Sequence, residues 1–330
     1  LSQPFAEGIS DYLLRKIPGL STGRMRLLGS LLFFFFFCLV IYGIQWMAVQ
    51  RKYSIEEGFS NKNGGKEDEY VIGSDKLYDG FYAGIYDQLV QGQKDRIPFE
   101  VDIVDKYCKR LIPDKTTWSV LDVGCGTGDH ISEFLKLGAG HVTGLDKSQA
   151  MINRARAKFP DKNVDWKIGD ATHNVFDAEQ FNIVCFFYFT LYYFPNRVDV
   201  FKNCYTWMKS GSVLAVHIVN RNKFDPILDS ASPFPAFSLQ KYAAQRVTES
   251  SVVFEKFTYD AKFDLEKEKA KFTETFKFKD GTIRKQEHQL LMPSMETIVK
   301  DAEEVGFRYR DYTDLRTIGY EYQYLLFFVK

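Results

Sequence analysis

Trp118–Val123 is a short apolar run containing β-branched residues, and it feeds directly into Gly124-Cys125-Gly126-Thr127-Gly128. A run of this length and composition reads as a buried strand. Asp129 to Leu137 continues with a helical pattern. Strand, glycine turn and helix in this order bring a ligand against bare backbone at a helix N-terminus, because residues without a Cβ permit both the turn and the approach.

The segments that follow extend the same plan. A second strand, His141–Leu145, ends at Asp146, 18 residues beyond Gly128. A carboxylate at about that distance accepts hydrogen bonds from ribose hydroxyls. A third strand, Val164–Ile168, runs into Gly169-Asp170, and a fourth, Phe181–Phe187, is nearly all apolar, as a central parallel strand should be. The helix Val198–Met208, the turn Lys209-Ser210-Gly211 and the strand Ser212–Val219 add another unit. The expected fold is α/β, a doubly wound, Rossmann-like and mostly parallel sheet.

Around this sheet the pattern changes. Tyr78, Tyr82 and Tyr86 recur at i, i+4 and i+8, one face of a helix, and a second helix runs from about Pro98 to Leu111. Residues 252–290 alternate with period two: Phe272, Phe276 and Phe278 share a face with Glu274. Asp280-Gly281 is a hairpin signal, and Glu266–Lys269 reads as another turn. The expectation is an antiparallel β insertion, about residues 222–292, over the ligand end of the sheet. Ser294–Val305 reads as a helix ending at Gly306, followed by two strands, Arg308–Leu315 and Tyr320–Val329.

Ahead of residue 76 the chain is different again. Leu27–Val49 is 23 residues without a charge. A helix of that length reaches roughly 34 Å, enough for a hydrocarbon core of about 30 Å. Arg24 and Arg26 precede it, Arg51 and Lys52 follow it, and Tyr42 and Trp46 lie toward one end, as interface anchors do. A secretory signal would be shorter and end at a small-residue cleavage site, and none is evident. The segment therefore reads as a single-pass transmembrane helix after an N-terminal segment, residues 1–26. Basic residues balance on its two sides, so the charge rule leaves orientation open. Residues 50–75, polar and containing glycine, read as a flexible linker to a domain over 76–330.

Charge narrows the partners. Lys+Arg and Asp+Glu both total 43, and neither part of the chain is polarised, which disfavours bulk binding of a nucleic-acid backbone. The five cysteines, Cys38, Cys108, Cys125, Cys185 and Cys204, form no C-x-x-C pair and read as free thiols in a reducing compartment.

The glycine spacing separates cofactors. A dinucleotide fingerprint is G-x-G-x-x-G, whereas this chain has G-x-G-x-G. Val120–Gly128 resembles the first motif of class I S-adenosylmethionine-dependent methyltransferases, and the closing strand pair resembles the reversed last strands of that fold. The resemblance covers about residues 76–220 and resumes near the C-terminus. It implies S-adenosylmethionine as cofactor, Asp146 as the acid that holds the ribose, and Asp170 as the residue beside the adenine. It also implies cofactor contacts at Asp122, Gly124, Cys125, Gly126 and Gly128, with Lys147 and Ala171 beside the two later acids. Tyr78, Tyr82 and Tyr86 ahead of the sheet and Phe187 or Tyr188 after the fourth strand, Tyr86 and Phe187 first among them, are the aromatic candidates to face the sulfonium by cation–π attraction, or else simple packing residues.

No catalytic group stands out. Methyl transfer relies on alignment, and a base matters only when the acceptor arrives protonated. His217, near the end of the fifth strand, is the first candidate, with a structural histidine as the competing reading. Tyr192 and His288 rank behind it. The place after the fourth strand lacks the Asp/Asn-Pro-Pro-aromatic motif of nucleic-acid amino methyltransferases, so nucleic acid is disfavoured as acceptor. The expected acceptor is a small molecule, possible lipid character following from the membrane anchor, ahead of a protein side chain. The rival reading is a catalytically silent protein that keeps this fold as a structural or assembly partner in a membrane complex. The expected location is a membrane, with the domain on a reducing side that contains the cofactor.

Overall fold

The structure, a computed structural model, describes residues 31, 33–39, 69–90, 96–160, 164–227, 240 and 245–330. The chain divides into two units, residues 1–57 and 58–330. In the first, Leu31 and residues 33–39 are helical with exposed side chains. Among the described residues no helix is long and apolar enough to cross a membrane. The rest of the predicted span Leu27–Val49, the segment 1–26 and linker residues 50–68 lie outside the described residues.

The second unit is built on a seven-stranded sheet. Its strands are β2 (Ser119–Val123), β3 (His141–Asp146), β4 (Val164–Ile168), β5 (Phe181–Phe186), β6 (Met208–Val219), β11 (Arg308–Asp314) and β12 (Gln323–Val329). Their order is β11-β12-β6-β5-β2-β3-β4. The β4-β3-β2-β5-β6 part is parallel, while β12 runs antiparallel to both β6 and β11. Strand alternation splits the core between the two faces. Leu121, Val184, Leu214 and Leu326 pack on one side, and Val120, Ile183, Val213 and Leu325 on the other. Burial on both faces explains why these strands read as continuous apolar runs. One sequence expectation is corrected here: Lys209-Ser210-Gly211 is not a separate turn but part of β6. Phe181 pairs with Met208 and Ile183 with Val213, so the surplus residues bulge, and Gly211 accepts the positive φ of 76° this requires.

Helices α3 (Ile97–Cys108), α4 (Asp129–Lys136), α5 (Gln149–Lys158), α6 (Arg197–Trp207) and α7 (Met295–Val305) flank the sheet. Preceding them, α1 (Ser74–Leu77) and α2 (Gly80–Leu89) replace the single tyrosine-striped helix expected from spacing. The break falls at Tyr78-Asp79, because the Asp79 carboxylate accepts the Tyr82 amide at 3.0 Å and caps α2.

A second sheet has the order β1-β10-β9-β8-β7, from β1 (Glu69–Ile72), β7 (Glu249–Val253), β8 (Phe257–Glu266), β9 (Lys269–Phe278) and β10 (Ile283–Leu291). Its hairpins are those the alternation predicts. Its edge is not, since β1 pairs parallel with β10. The predicted linker over 50–75 therefore ends in a strand, and the second sheet is not wholly an antiparallel insertion. Arg284 on β10 reaches Asp79 at 2.8 Å and Glu69 at 3.1 Å, tying this edge to the start of α2. Tyr82, Ile85 and Leu89 of α2 pack with Phe257, Tyr259 and Phe276 of the second sheet, which holds that sheet beside the strand ends of the first.

Candidate active site

A cavity of about 380 Å³ opens at the C-terminal ends of β2, β3, β4 and β5, the position where open α/β sheets bind ligands. Its floor is the turn between β2 and α4. The amides of Gly124 and Cys125 both donate to the Leu145 carbonyl, at 2.7 and 3.1 Å. The Gly126 amide donates to Asp146 Oδ2 at 2.9 Å, and the Ser148 amide to Oδ1 at 2.8 Å. These three loop amides are thus satisfied within the protein and do not form an anion cradle of the kind a pyrophosphate needs. The turn instead offers close approach. A Cβ at Gly126 would stand in the cavity with only Tyr86 Cε1, at 3.9 Å, near it, and the backbone there has φ 54°. The loop is clamped from outside: Thr127 Oγ1 donates to Asp87 at 2.7 Å, and Lys158 reaches Asp87 at 3.1 Å and Asp129 at 2.8 Å.

Most residues expected to contact the cofactor converge on this cavity. Asp122, Gly124, Cys125 and Gly126 line it from the first turn, Asp146 and Lys147 from the second, and Asp170 and Ala171 from the third. Tyr86 and Phe187 also line it. Burial raises the Asp146 carboxyl despite its two amide donors and Lys147. Burial also pushes Asp122 up to about 7, with His130 opposing and the charges of Asp146 and Glu100 adding to the rise.

Glu100 and His130 were not singled out from sequence, because nothing local marks either one. They meet at 2.7 Å, and the His130 ring stacks on Phe187 with centroids 3.9 Å apart. Burial works against the imidazolium of His130, but the Glu100 hydrogen bond and charge prevail and hold it above the ordinary range. Among the described residues Asp122 Oδ2 and Glu100 Oε1 are buried without a hydrogen-bond partner, His217 Nδ1 lying 3.5 Å from Glu100 Oε1. Two orphaned carboxylate oxygens in the wall of one cavity call for a cationic ligand. The residues present therefore fit S-adenosylmethionine: an open glycine, a clamped acid for ribose, and carboxylates for the ammonium group of its amino-acid end.

Three expected site residues fall elsewhere. Gly128 caps α4 behind the loop with φ 85°, where an added Cβ would meet Trp166 at 2.5 Å, so its role is packing. Tyr192 is buried and its hydroxyl accepts the Val219 amide at 2.8 Å. His217 is fully buried on the face of β6 that also carries Val213 and Ala215. It does not line the cavity but sits behind Glu100, with Nδ1 3.5 Å from Glu100 Oε1. Its Nδ1 accepts the Tyr188 amide at 3.1 Å, which leaves Nε2–H to donate to Gln323 Oε1 at 3.0 Å. Burial lowers its pKa, so it stays neutral. Tyr188 has a positive φ of 52°, an uncommon conformation for a bulky residue. His217 thus anchors a strained turn at the cavity rim, and the structure places this catalytic candidate outside the cavity lining.

The other half of the cavity belongs to the second sheet and the segments after β5 and β6. Phe189, Phe194, Phe224, Phe263, Phe272 and Leu290 line it. Set into this apolar wall is Glu274, 2% exposed. Its Oε1 accepts Tyr82 at 3.0 Å and Tyr259 at 2.7 Å, and its Oε2 accepts Gln286 and meets His288 Nε2, both at 2.6 Å. Burial acts to raise this carboxyl, but His288, Tyr259 and Gln286 outweigh it and hold Glu274 below its usual range. His288 Nδ1 lies 2.7 Å from the Tyr193 hydroxyl, which accepts from the Tyr78 hydroxyl at 2.8 Å. Sequence ranking put His288 behind His217. The structure places His288 in the cavity wall and His217 outside it, and pairing of β9 with β10 brings Glu274 beside His288.

The strand order with its reversed last strand, the glycine turn joined to Asp146 and the cavity at the strand ends define the class I methyltransferase fold. Residues 120–211 match the family described as "Methyltransferase domain". The chain is 37% identical over 86 residues, 26% of its length, to dTDP-3-amino-3,4,6-trideoxy-alpha-D-glucopyranose N,N-dimethyltransferase of Streptomyces venezuelae. It is 35% identical over 112 residues, 32% of its length, to demethylmenaquinone methyltransferase of Lactococcus lactis. It spans 35% and 43% of the lengths of these two relatives. Among solved structures it resembles SAM-bound CalS10, an amino pentose methyltransferase from Micromonospora echinaspora. That likeness has a TM-score of 0.55 at 19% identity, covering 74% of this chain and 97% of the other, and is a likeness of fold.

Proposed function

We propose that this chain transfers a methyl group from S-adenosylmethionine to a small-molecule acceptor. The observation that carries this reading is the Gly126–Asp146 unit, a carboxylate held by loop amides beside an α-carbon open to the cavity. When bound there, the cofactor supplies an activated methyl group on a sulfonium sulfur. Each Asp146 oxygen accepts one amide and keeps a lone pair for a ribose hydroxyl. Glu100 and Asp122 would present buried carboxylate to the ammonium group of its amino-acid end. Tyr86 and Phe187 offer ring faces to the sulfonium, an attraction of about 0.5–2 kcal/mol. The chain's remaining task is alignment and exclusion of water, which supply most of the rate when the cofactor carries the reactive group.

The acceptor half favours a small, largely apolar molecule, because aromatic side chains form most of its wall. The relatives named above include enzymes of an amino sugar and of demethylmenaquinone, both small-molecule acceptors by name. Leu27–Val49, uncharged and flanked by arginines and a lysine, would hold the domain at a bilayer, on a side that is reducing and contains the cofactor. Four of the five cysteines are buried free thiols, in keeping with such a side. A lipid-like acceptor would then meet the site at raised effective concentration.

Calorimetric titration of the full chain with S-adenosylmethionine tests the central reading, and absence of binding refutes it. Flotation with phosphatidylcholine vesicles tests the anchor. The full chain should float, and a chain of residues 58–330 should not.

A further inference from the structure

We propose that Tyr78, Tyr193, His288 and Glu274 form a proton relay that takes the proton of a hydroxyl acceptor, and that the acceptor is therefore a hydroxyaromatic compound. This rests on the methyl-transfer reading and adds to it the acceptor class and the residues that activate it.

The direction of the chain follows from donors and acceptors. Ionised Glu274 only accepts, so His288 Nε2 carries the proton that it donates at 2.6 Å. In neutral imidazole Nδ1 is then an acceptor, so the Tyr193 hydroxyl donates to it at 2.7 Å. The Tyr193 oxygen in turn accepts from Tyr78 at 2.8 Å. Each hydroxyl donates along the chain toward Glu274, and the Tyr78 oxygen is left as its first acceptor. All four side chains line the cavity. The groups facing His288 are Glu274 from β9, Tyr193 from the turn after β5, and Tyr78 and Tyr82 from the segments before α3.

Burial holds the hydroxyls of Tyr78 and Tyr193 far above the ordinary phenol range. Neither tyrosine is a resting place for negative charge, so each passes a proton on as it receives one. As the acceptor O–H bond breaks, its proton moves to Tyr78, the Tyr78 proton to Tyr193, and the Tyr193 proton to His288 Nδ1. An imidazolium results beside the Glu274 carboxylate. The acceptor oxygen's electron pair forms the new C–O bond while the C–S bond breaks and its pair returns to sulfur. No other reactant is required. The ring walls of Phe189, Phe224, Phe263 and Phe272 suit a flat aromatic body, and a neutral amine would attack through its own lone pair without needing the relay.

Two readouts on the full chain test this, one of them independent of turnover. First, 4-nitrophenol is titrated without cofactor and its phenolate absorption followed. The band should grow on binding to the wild-type chain and fail to grow with Tyr78→Phe or His288→Asn. Tyr78→Phe removes one hydroxyl only, so it reads the relay even if His288→Asn does not fold. Second, methyl transfer to 1-naphthol is compared with transfer to 1-naphthylamine. The naphthol-to-naphthylamine ratio should fall by about 100-fold in Tyr78→Phe, the lower range for loss of a general base. A phenolate band or a ratio unchanged by Tyr78→Phe overturns the relay. Cofactor binding by the wild-type chain with turnover of neither probe overturns the acceptor class. Absence of cofactor binding overturns the proposed function itself, which the nitrophenol signal does not depend on.

Discussion

The amide of Gly126 donates to Asp146 Oδ2 at 2.9 Å, so the turn after β2 and the acid at the end of β3 form one unit. The glycine lets a ligand reach the backbone, and the same residue orients the carboxylate that would hold it. Damage to either partner should therefore appear in cofactor affinity before it appears in the fold.

Asp146→Ala should weaken S-adenosylmethionine binding at least tenfold by calorimetry, with a folded circular dichroism spectrum. A hydrogen bond to a charged group contributes about 1.5–3 kcal/mol, and two ribose hydroxyls are at stake. Unchanged affinity would remove Asp146 from the cofactor site.

Two glycines of the loop should fail differently. Gly126→Val places a branched side chain into open cavity and should abolish binding, at a strain cost of about 1–2 kcal/mol from its left-handed backbone. Gly128→Ala drives a methyl group into Trp166, 2.5 Å from the ideal Cβ position, and should lower Tm far more. Equal loss of Tm in both variants, measured by thermal denaturation, would contradict the division between an open and a packed glycine.

Cofactor affinity should depend on pH through Asp122, whose carboxyl is pushed up to about 7. A cationic ligand favours the ionised carboxylate and lowers its pKa, so binding below pH 7 releases a proton. Affinity should rise with pH, by up to about tenfold per unit, and level off above about 7. Glu100, His130 and Asp146 face the same group and shape the curve. In Asp122→Asn the rise should flatten, which calorimetry across pH 5.5–8.5 would register (a range of about three units around the neutral midpoint of a shifted carboxyl).

Residues 58–330 should bind S-adenosylmethionine about as well as the full chain, because every residue of the site lies in that unit. A chain starting at residue 76 should be less stable. It loses β1, exposes the edge of β10, and strips Glu69 from Arg284 and Tyr70 from Glu287. Chemical denaturation of the two truncations compares them directly. Equal midpoints would make β1 dispensable.

What the sequence determined by itself was local. The run Trp118–Gly128, Asp146 at the end of the next strand, and the hairpin at Asp280-Gly281 are legible because strand periodicity, turn chemistry and glycine backbone freedom operate within a few residues. The tertiary structure decided what depends on distant partners. His217 and His288 look alike in sequence, yet one is locked between Tyr188 and Gln323 on a sheet face and the other stands between Tyr193 and Glu274 in the cavity wall. β1 joins β10 across more than 200 positions of sequence, and Tyr78 meets Tyr193 across 115. Such contacts are set by which sheet packs against which strand ends, and no window of neighbouring residues contains that information.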